Sequence, residues 1–133
     1  MKILIDTNIL ISAILNPNGL PYLAYKKAVT YPNKGIICEQ NVLELNEIFH
    51  RKFPTKIQFL ETFLSLASTS LTVVPIPKLP EKSEKQIRDI KDRPILRAAI
   101  SSNADILLTG DKDFLESNIK HPLPLTASKF LTL

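Results

Sequence analysis

Five carboxylates are the residues best suited to carry chemistry in this 133-residue chain. Asp6 closes an apolar run near the start, Glu44 lies in a mid-chain amphipathic stretch, Asp92 precedes Arg93-Pro94, and Asp111 and Asp113 follow Gly110. Carboxylates brought together repel one another, and without compensation some stay protonated. A hard divalent cation removes that cost, and carboxylate oxygens with water are the ligands that Mg²⁺ and Mn²⁺ prefer. Such an ion lowers the pKa of a bound water, orients a phosphodiester and stabilises the departing oxyanion. The polar neighbours Thr7, Asn8 and Thr109 would then steady the acids or position substrate. Each residue also has a plainer structural reading. Asp6, Asn8 and Asp92 suit helix N-caps, Asp111 suits a turn after glycine, and Thr7 suits a capping hydroxyl. Glu44 could be a solvated helix position, with Glu47 the inward one. It is the joint occurrence of the acids that points to metal-dependent hydrolysis.

Other chemistries are short of residues. One cysteine, Cys38, excludes an internal disulfide framework and a multi-cysteine zinc site. Two histidines leave little for zinc catalysis or a histidine-based triad, and three glycines leave no room for a GxxxxGK[ST] or GxGxxG phosphate loop. Hydrophobic residues make up 44% of the chain, enough for one core, so one domain over 1–133 is expected. No apolar run approaches the roughly 20 residues that span a bilayer, and the opening Met1-Lys2-Ile3-Leu4-Ile5-Asp6 does not read as a signal peptide. The expectation is a soluble, cytoplasmic protein with no membrane partner.

Seventeen Lys and Arg against 13 Asp and Glu give a net charge of +4. If four of those acids share one cleft, the remaining surface is more basic than the total suggests. Lys91, Arg93, Arg97 and Lys112 flank two of the acids and are candidate contacts for nucleic-acid phosphates, solvated surface charge being the plain alternative.

Positioning these groups requires a scaffold. Lys2-Ile3-Leu4-Ile5, Gly35-Ile36-Ile37-Cys38, Leu71-Thr72-Val73-Val74 and Asp105-Ile106-Leu107-Leu108-Thr109 are short continuous apolar runs, the pattern of strands buried on both faces. Between them, Val42, Leu45, Ile48 and Phe49, then Ile57, Leu60, Phe63, Leu64 and Ala67, then Ile95, Leu96, Ala99 and Ile100 recur at helical spacing. Strands alternating with helices predict an α/β fold, a three-layer α/β/α sandwich with a central, mostly parallel sheet. Pro75 to Lys91 reads as a loop running into a short exposed helix, and the tail from His121 as a short last strand and helical turn. In such a sheet ligand sites gather at the rim where strands end and helices begin. Asp6, Glu44, Asp92 and Asp111 all fall on that rim, from four separate segments.

Ile5-Asp6-Thr7-Asn8-Ile9-Leu10, Leu43-Glu44-Leu45, Asp92-Arg93-Pro94-Ile95-Leu96 with Ala98-Ala99, and Leu108-Thr109-Gly110-Asp111-Lys112-Asp113-Phe114-Leu115 together resemble the PIN-domain family. Their order and approximate spacing match over essentially the whole chain. The subgroup it resembles is the small stand-alone PIN proteins similar to VapC ribonuclease toxins of toxin–antitoxin modules, whose terminal segment Pro124-Leu125-Thr126-Ala127-Ser128-Lys129-Phe130-Leu131 also resembles. The resemblance implies cleavage of RNA phosphodiesters with one or two Mg²⁺ or Mn²⁺ ions. It implies that Asp6, Glu44, Asp92 and Asp111 are the acidic metal-binding quartet, Asp113 a supporting acid, and Thr7, Asn8 and Thr109 the polar groups beside the ions. It further implies an antitoxin partner and homodimerisation. Many relatives have a denser acidic stretch before the third site, whereas Arg88-Asp89-Ile90-Lys91-Asp92 places a lysine there. Spacing to Ile95-Leu96 and Ala99 favours Asp92 over Asp89.

The expected activity is therefore a metal-dependent endoribonuclease leaving 5′-phosphate and 3′-hydroxyl ends. A catalytically weak PIN-fold module that binds RNA or protein is the alternative. A response-regulator receiver needs an acceptor aspartate where Val74-Pro75-Ile76-Pro77 stands, and a haloacid-dehalogenase-type phosphatase needs a second aspartate where Asn8 stands.

Overall fold

The computed structural model describes residues 1–133. Strand β1 (Lys2–Ile5) is followed by helices α1 (Thr7–Leu15) and α2 (Leu20–Val29), then β2 (Lys34–Cys38), α3 (Glu39–Lys52), α4 (Ile57–Ala67) and β3 (Leu71–Val74). After an irregular stretch come α5 (Arg93–Ser101), β4 (Ile106–Leu108), the single turn α6 (Lys112–Leu115), β5 (Leu123–Leu125) and α7 (Ala127–Leu131). All five strands are parallel, in the order β3-β2-β1-β4-β5. No helix is long and apolar enough to cross a membrane.

Alternation along the strands divides the core in two. Ile3 and Ile5 of β1, Ile37 of β2, and Ile106 and Leu108 of β4 point to one face, where Leu10, Ala24, Leu45, Leu60 and Phe130 pack on them from five helices. Leu4, Ile36, Cys38 and Leu107 point to the other, covered by Ile95, Leu96, Ala98 and Ala99 of α5 together with Phe114 and Ile119. The layers are those the apolar runs predict, but α5 covers its face nearly alone.

Two features depart from the sequence reading. Leu20–Val29 is a full helix, started by Pro21 in its first turn, and it packs against α1 and α7. The stretch after Pro75 holds two 3₁₀ turns, Lys82–Gln86 and Ile90–Asp92, in place of an exposed helix. It is also pinned to the body: Ile87 is fully buried, and Glu84 is buried against Arg97 of α5.

The strand order sets where a site can form. Strand β1 occupies the centre, and chain progression reverses between β1 and β4, which splay the following segments to opposite sides. Asp6 and Asp111 leave the sheet on either side of that reversal.

Candidate metal centre

Asp6 is the first residue past β1. Its amide still donates to the Leu108 carbonyl at 2.9 Å, so the β1–β4 ladder carries it to the sheet rim. Its backbone is extended, and Oδ1 accepts the Thr7 amide at 2.8 Å, which caps α1. Oδ2 accepts the Thr109 hydroxyl at 2.7 Å. That hydroxyl oxygen in turn accepts the Asp111 amide at 3.0 Å, and the Thr109 amide donates to the Leu125 carbonyl at 2.9 Å. Thr109 thus fixes the first acid to the turn that carries the fourth. Asn8 adds a second tie across the same gap, accepting the Gly110 amide at 3.2 Å.

Glu44 reaches the cleft from the second turn of α3. Thr7 Oγ1 donates to Glu44 Oε1 at 2.8 Å, and Asn41 Nδ2 donates to Thr7 Oγ1 at 2.9 Å. Asn41, fully buried, also accepts the Cys38 amide at 2.8 Å. The Thr7 hydroxyl therefore bridges two helices and does not cap its own. Glu47 is exposed and pairs with Arg51 at 3.9 Å, so Glu44 is the inward acid of the two.

Asp92 sits at the N-cap of α5 but makes no side-chain cap bond. Its backbone is already helical, and Pro94, second in the helix, has no amide hydrogen to offer. The carboxylate is left to the cleft, beside Asp111. Asp111 caps α6, accepting the Asp113 amide at 2.9 Å.

Asp6, Glu44, Asp92 and Asp111, with Thr7 and Asn8, line one cleft of about 170 Å³. Burial pushes the Asp6 carboxyl up to about 6, assisted by the charges of Glu44 and Asp111 and opposed by the bonds from Thr109 and Thr7. Burial likewise pushes Asp92 up to about 7, followed by the charge of Asp111 and a hydrogen bond to it. Asp6 and Asp92 resist ionisation because they are buried among like charges, and no side-chain cation lines the cleft to offset this. An oxygen-only donor set with an unmet demand for positive charge fits a hard divalent ion.

Asp113 lies outside this cleft. Its carboxylate comes within 4.8 Å of those of Asp89 and Asp92, and Arg88 donates to it at 2.7 Å. Asp89 is exposed and caps the 3₁₀ turn by accepting the Lys91 amide. Asp92 is thus the member common to the cleft and to this outer group.

The basic residues divide. Lys91 and Lys112 are exposed. Arg93 donates to the Ile87 carbonyl at 2.9 Å. Arg97 gives Nε and one terminal nitrogen to Glu84 at 3.0 and 2.9 Å and the other to the Pro77 carbonyl at 3.0 Å. The expectation that Arg97 meets phosphate therefore needs correction, because its guanidinium is committed to pinning the irregular stretch. Sequence reasoning missed Arg88, whose side chain is 85% exposed beside Asp113, and Asn41, whose position one turn ahead of Glu44 on α3 was the available signal.

A family model described as PIN domain matches residues 2–113. The uncharacterised protein MJ1680 of Methanocaldococcus jannaschii is 29% identical over 120 residues, spanning 86% of this chain and 74% of its own length. A chain in the crystal structure of VapBC2 from Rickettsia felis, bound to a DNA fragment from their promoter, superposes with a TM-score of 0.70 at 20% identity, covering 95% of this chain and 98% of that one. PAE2754 from Pyrobaculum aerophilum gives a TM-score of 0.63 at 17% identity, with coverage of 99% and 88%. At those identities the two solved structures speak to the fold.

Proposed function

Since the chain belongs to the PIN-domain family, we propose that it is a divalent-metal-dependent endoribonuclease, the toxin component of a toxin–antitoxin module. The observation that carries this reading is the convergence of Asp6, Glu44, Asp92 and Asp111, from four separate segments, on one cleft with no side-chain cation to neutralise them.

Asp6, Asp92 and Asp111 would hold one or two Mg²⁺ or Mn²⁺ ions, and Glu44 would complete the set. Bound there, the metal would supply Lewis acidity for hydrolysis of a phosphodiester. Glu44 uses Oε1 to accept the Thr7 hydroxyl, and its other carboxylate oxygen remains to orient the attacking water and take its proton. Thr109 keeps Asp6 in a fixed rotamer, and Asn41 does the same for Thr7. In-line attack of water leaves a 5′-phosphate and a 3′-hydroxyl. Lys91, Arg93 and Lys112 supply positive charge around the acids for the flanking phosphates. Asp113 acts from outside the cleft, through its contact with Arg88 and its place beside Asp92.

The deciding assay incubates purified protein with RNA and Mn²⁺ or Mg²⁺, with and without EDTA, beside Asp6→Asn. Cleavage only by the wild type with free metal supports the proposal, and equal cleavage in all lanes refutes it. RNA retained without cleavage would favour a binding module. The likeness to a chain of the VapBC2 assembly supports an antitoxin partner. Co-expression with the neighbouring open reading frame tests the pairing: growth inhibition that this frame never relieves removes the toxin–antitoxin assignment and leaves the nuclease assignment standing.

A further inference from the structure

Beside the acidic cleft runs a second concavity of about 390 Å³, walled by α1, the start of α2, the turn after β4 and the start of α7. Its walls include Asn8, Ser12, Leu20, Pro21, Gly110 and Ser128, and no charged side chain lines it. Asn8 lines both spaces, and Thr109, which also borders the groove, is hydrogen-bonded to Asp6. The groove therefore adjoins the cleft, with the Asn8 side chain between them. Two of its polar groups are occupied: Thr109 by Asp6, and Thr126 by the Lys129 amide. Asn8 spends its side-chain oxygen on the Gly110 amide, which leaves its NH₂ together with the Ser12 and Ser128 hydroxyls as hydrogen-bonding groups. Leu20, 52% exposed, and Pro21 supply an apolar wall.

A strand cut at the acidic cleft has to leave it in both directions. The acids repel every phosphate that a metal does not hold, so an uncharged exit is the favourable one for a nucleoside. The volume lies within the usual range for a small-ligand site, and an apolar wall opposite hydroxyl and amide groups suits a base and its ribose better than a phosphate. We infer that this groove seats the nucleoside adjoining the scissile phosphate of an RNA strand, with the base against Leu20 and Pro21 and its polar edges or 2′-hydroxyl at Asn8, Ser12 and Ser128. The inference rests on the nuclease reading of the cleft. Adjacency to the cleft favours RNA here over a segment of a partner protein.

Two groove variants test it, Leu20→Asp and Ser128→Tyr, with Leu66→Asp on α4 controlling for an added charge on an exposed leucine. Each is assayed on an RNA oligonucleotide and on bis(p-nitrophenyl) phosphate, a diester small enough to need only the cleft. The ratio of kcat/KM for RNA to that for the small diester falls about tenfold in both groove variants, through KM, and the positions of cleavage shift. A short labelled RNA is also titrated by fluorescence anisotropy into Asp6→Asn protein, with and without Leu20→Asp, where about tenfold weaker binding is expected. Unchanged ratio, cleavage pattern and binding overturn the inference and leave the groove to a protein segment. If the wild type with metal cleaves neither substrate, the nuclease reading fails by itself, and the binding comparison still decides the groove.

Discussion

The Thr7 hydroxyl donates to Glu44 at 2.8 Å while accepting from Asn41 at 2.9 Å, so one oxygen joins α1 to α3 at the floor of the cleft. Thr7→Val keeps the shape and removes both bonds, leaving the fully buried Asn41 amide without its acceptor. The expected cost is about 1–3 kcal/mol in thermal denaturation, with RNA cleavage reduced about tenfold or more as Glu44 loosens. Thr7→Ser restores most of both. Full activity in Thr7→Val would remove Glu44 from the machinery.

The raised carboxyls set a pH dependence. Asp6 ionises near its ordinary 3.8 in the unfolded chain but only at about 6 in the fold, and Asp92 at about 7. Across that window the folded state holds more protons than the unfolded one. The stability that these groups give below about pH 4 is therefore lost as pH rises towards 7. With EDTA present, Tm should fall between about pH 5 and about pH 8, and Mn²⁺ should restore it at the higher pH with little effect at the lower. Asp6→Asn should flatten the profile, raising Tm at pH 8 while abolishing cleavage. A Tm that Mn²⁺ does not move at pH 8 would contradict the metal assignment.

Arg97 and Glu84 form the better-buried ion pair, with side chains 15% and 6% exposed. Arg97→Met leaves Glu84 without its partner and should lower the midpoint of chemical denaturation. It should also lower cleavage, because the freed stretch carries Asp92. Arg97 holds the Glu84 carboxyl below its ordinary 4.5, so the pair stabilises the fold above that pH and ceases to as pH drops through the folded value. Arg97→Met should accordingly blunt acid destabilisation. Glu84→Leu in the same chain should recover part of the loss, since the uncompensated charge is then gone.

Asp111 and Asp113 stand two residues apart and should behave differently. Asp111→Asn removes an acid of the cleft and should eliminate cleavage. Asp113→Asn removes only an outer partner, and should raise the metal concentration for half-maximal cleavage about tenfold with kcat largely kept. Metal titrations of the two variants check this, and matching losses would move Asp113 into the cleft's own set.

The sequence announces the central strands clearly because each is a short apolar run closed by a polar residue, as Lys2–Ile5 is by Asp6 and Lys34–Cys38 by Glu39. Leu71–Val74 is a strand too, but as the sheet edge it is half exposed and not buried on both faces. The helices α3, α4 and α5 announce themselves by their stripes, and so all four cleft acids could be assigned to one rim before any coordinates. The plainer reading of Asp92 as a cap does not hold, and Pro94 is the physical reason: a missing amide frees the carboxylate. Arg97 and Asn41 were illegible for another cause. Both are polar residues on helices, and only tertiary contact with Glu84 or with Thr7 decides that they turn inward. The 3₁₀ turns around Glu84 and Asp89 have no periodicity to read.

Placing β1 at the centre of the sheet has a consequence for synthesis. Asp6 leaves the ribosome well before its partner Thr109, which lies 103 positions later. Until β4 has emerged and paired with β1, the cleft lacks Asp111, and Asp6 has no hydroxyl to hold it. A nascent chain that stops short of β4 carries Asp6, Glu44 and Asp92 and none of the site's closure. Whatever the cleft does to RNA, it cannot do to the message from which it is being translated until β4 and Asp111 have been made.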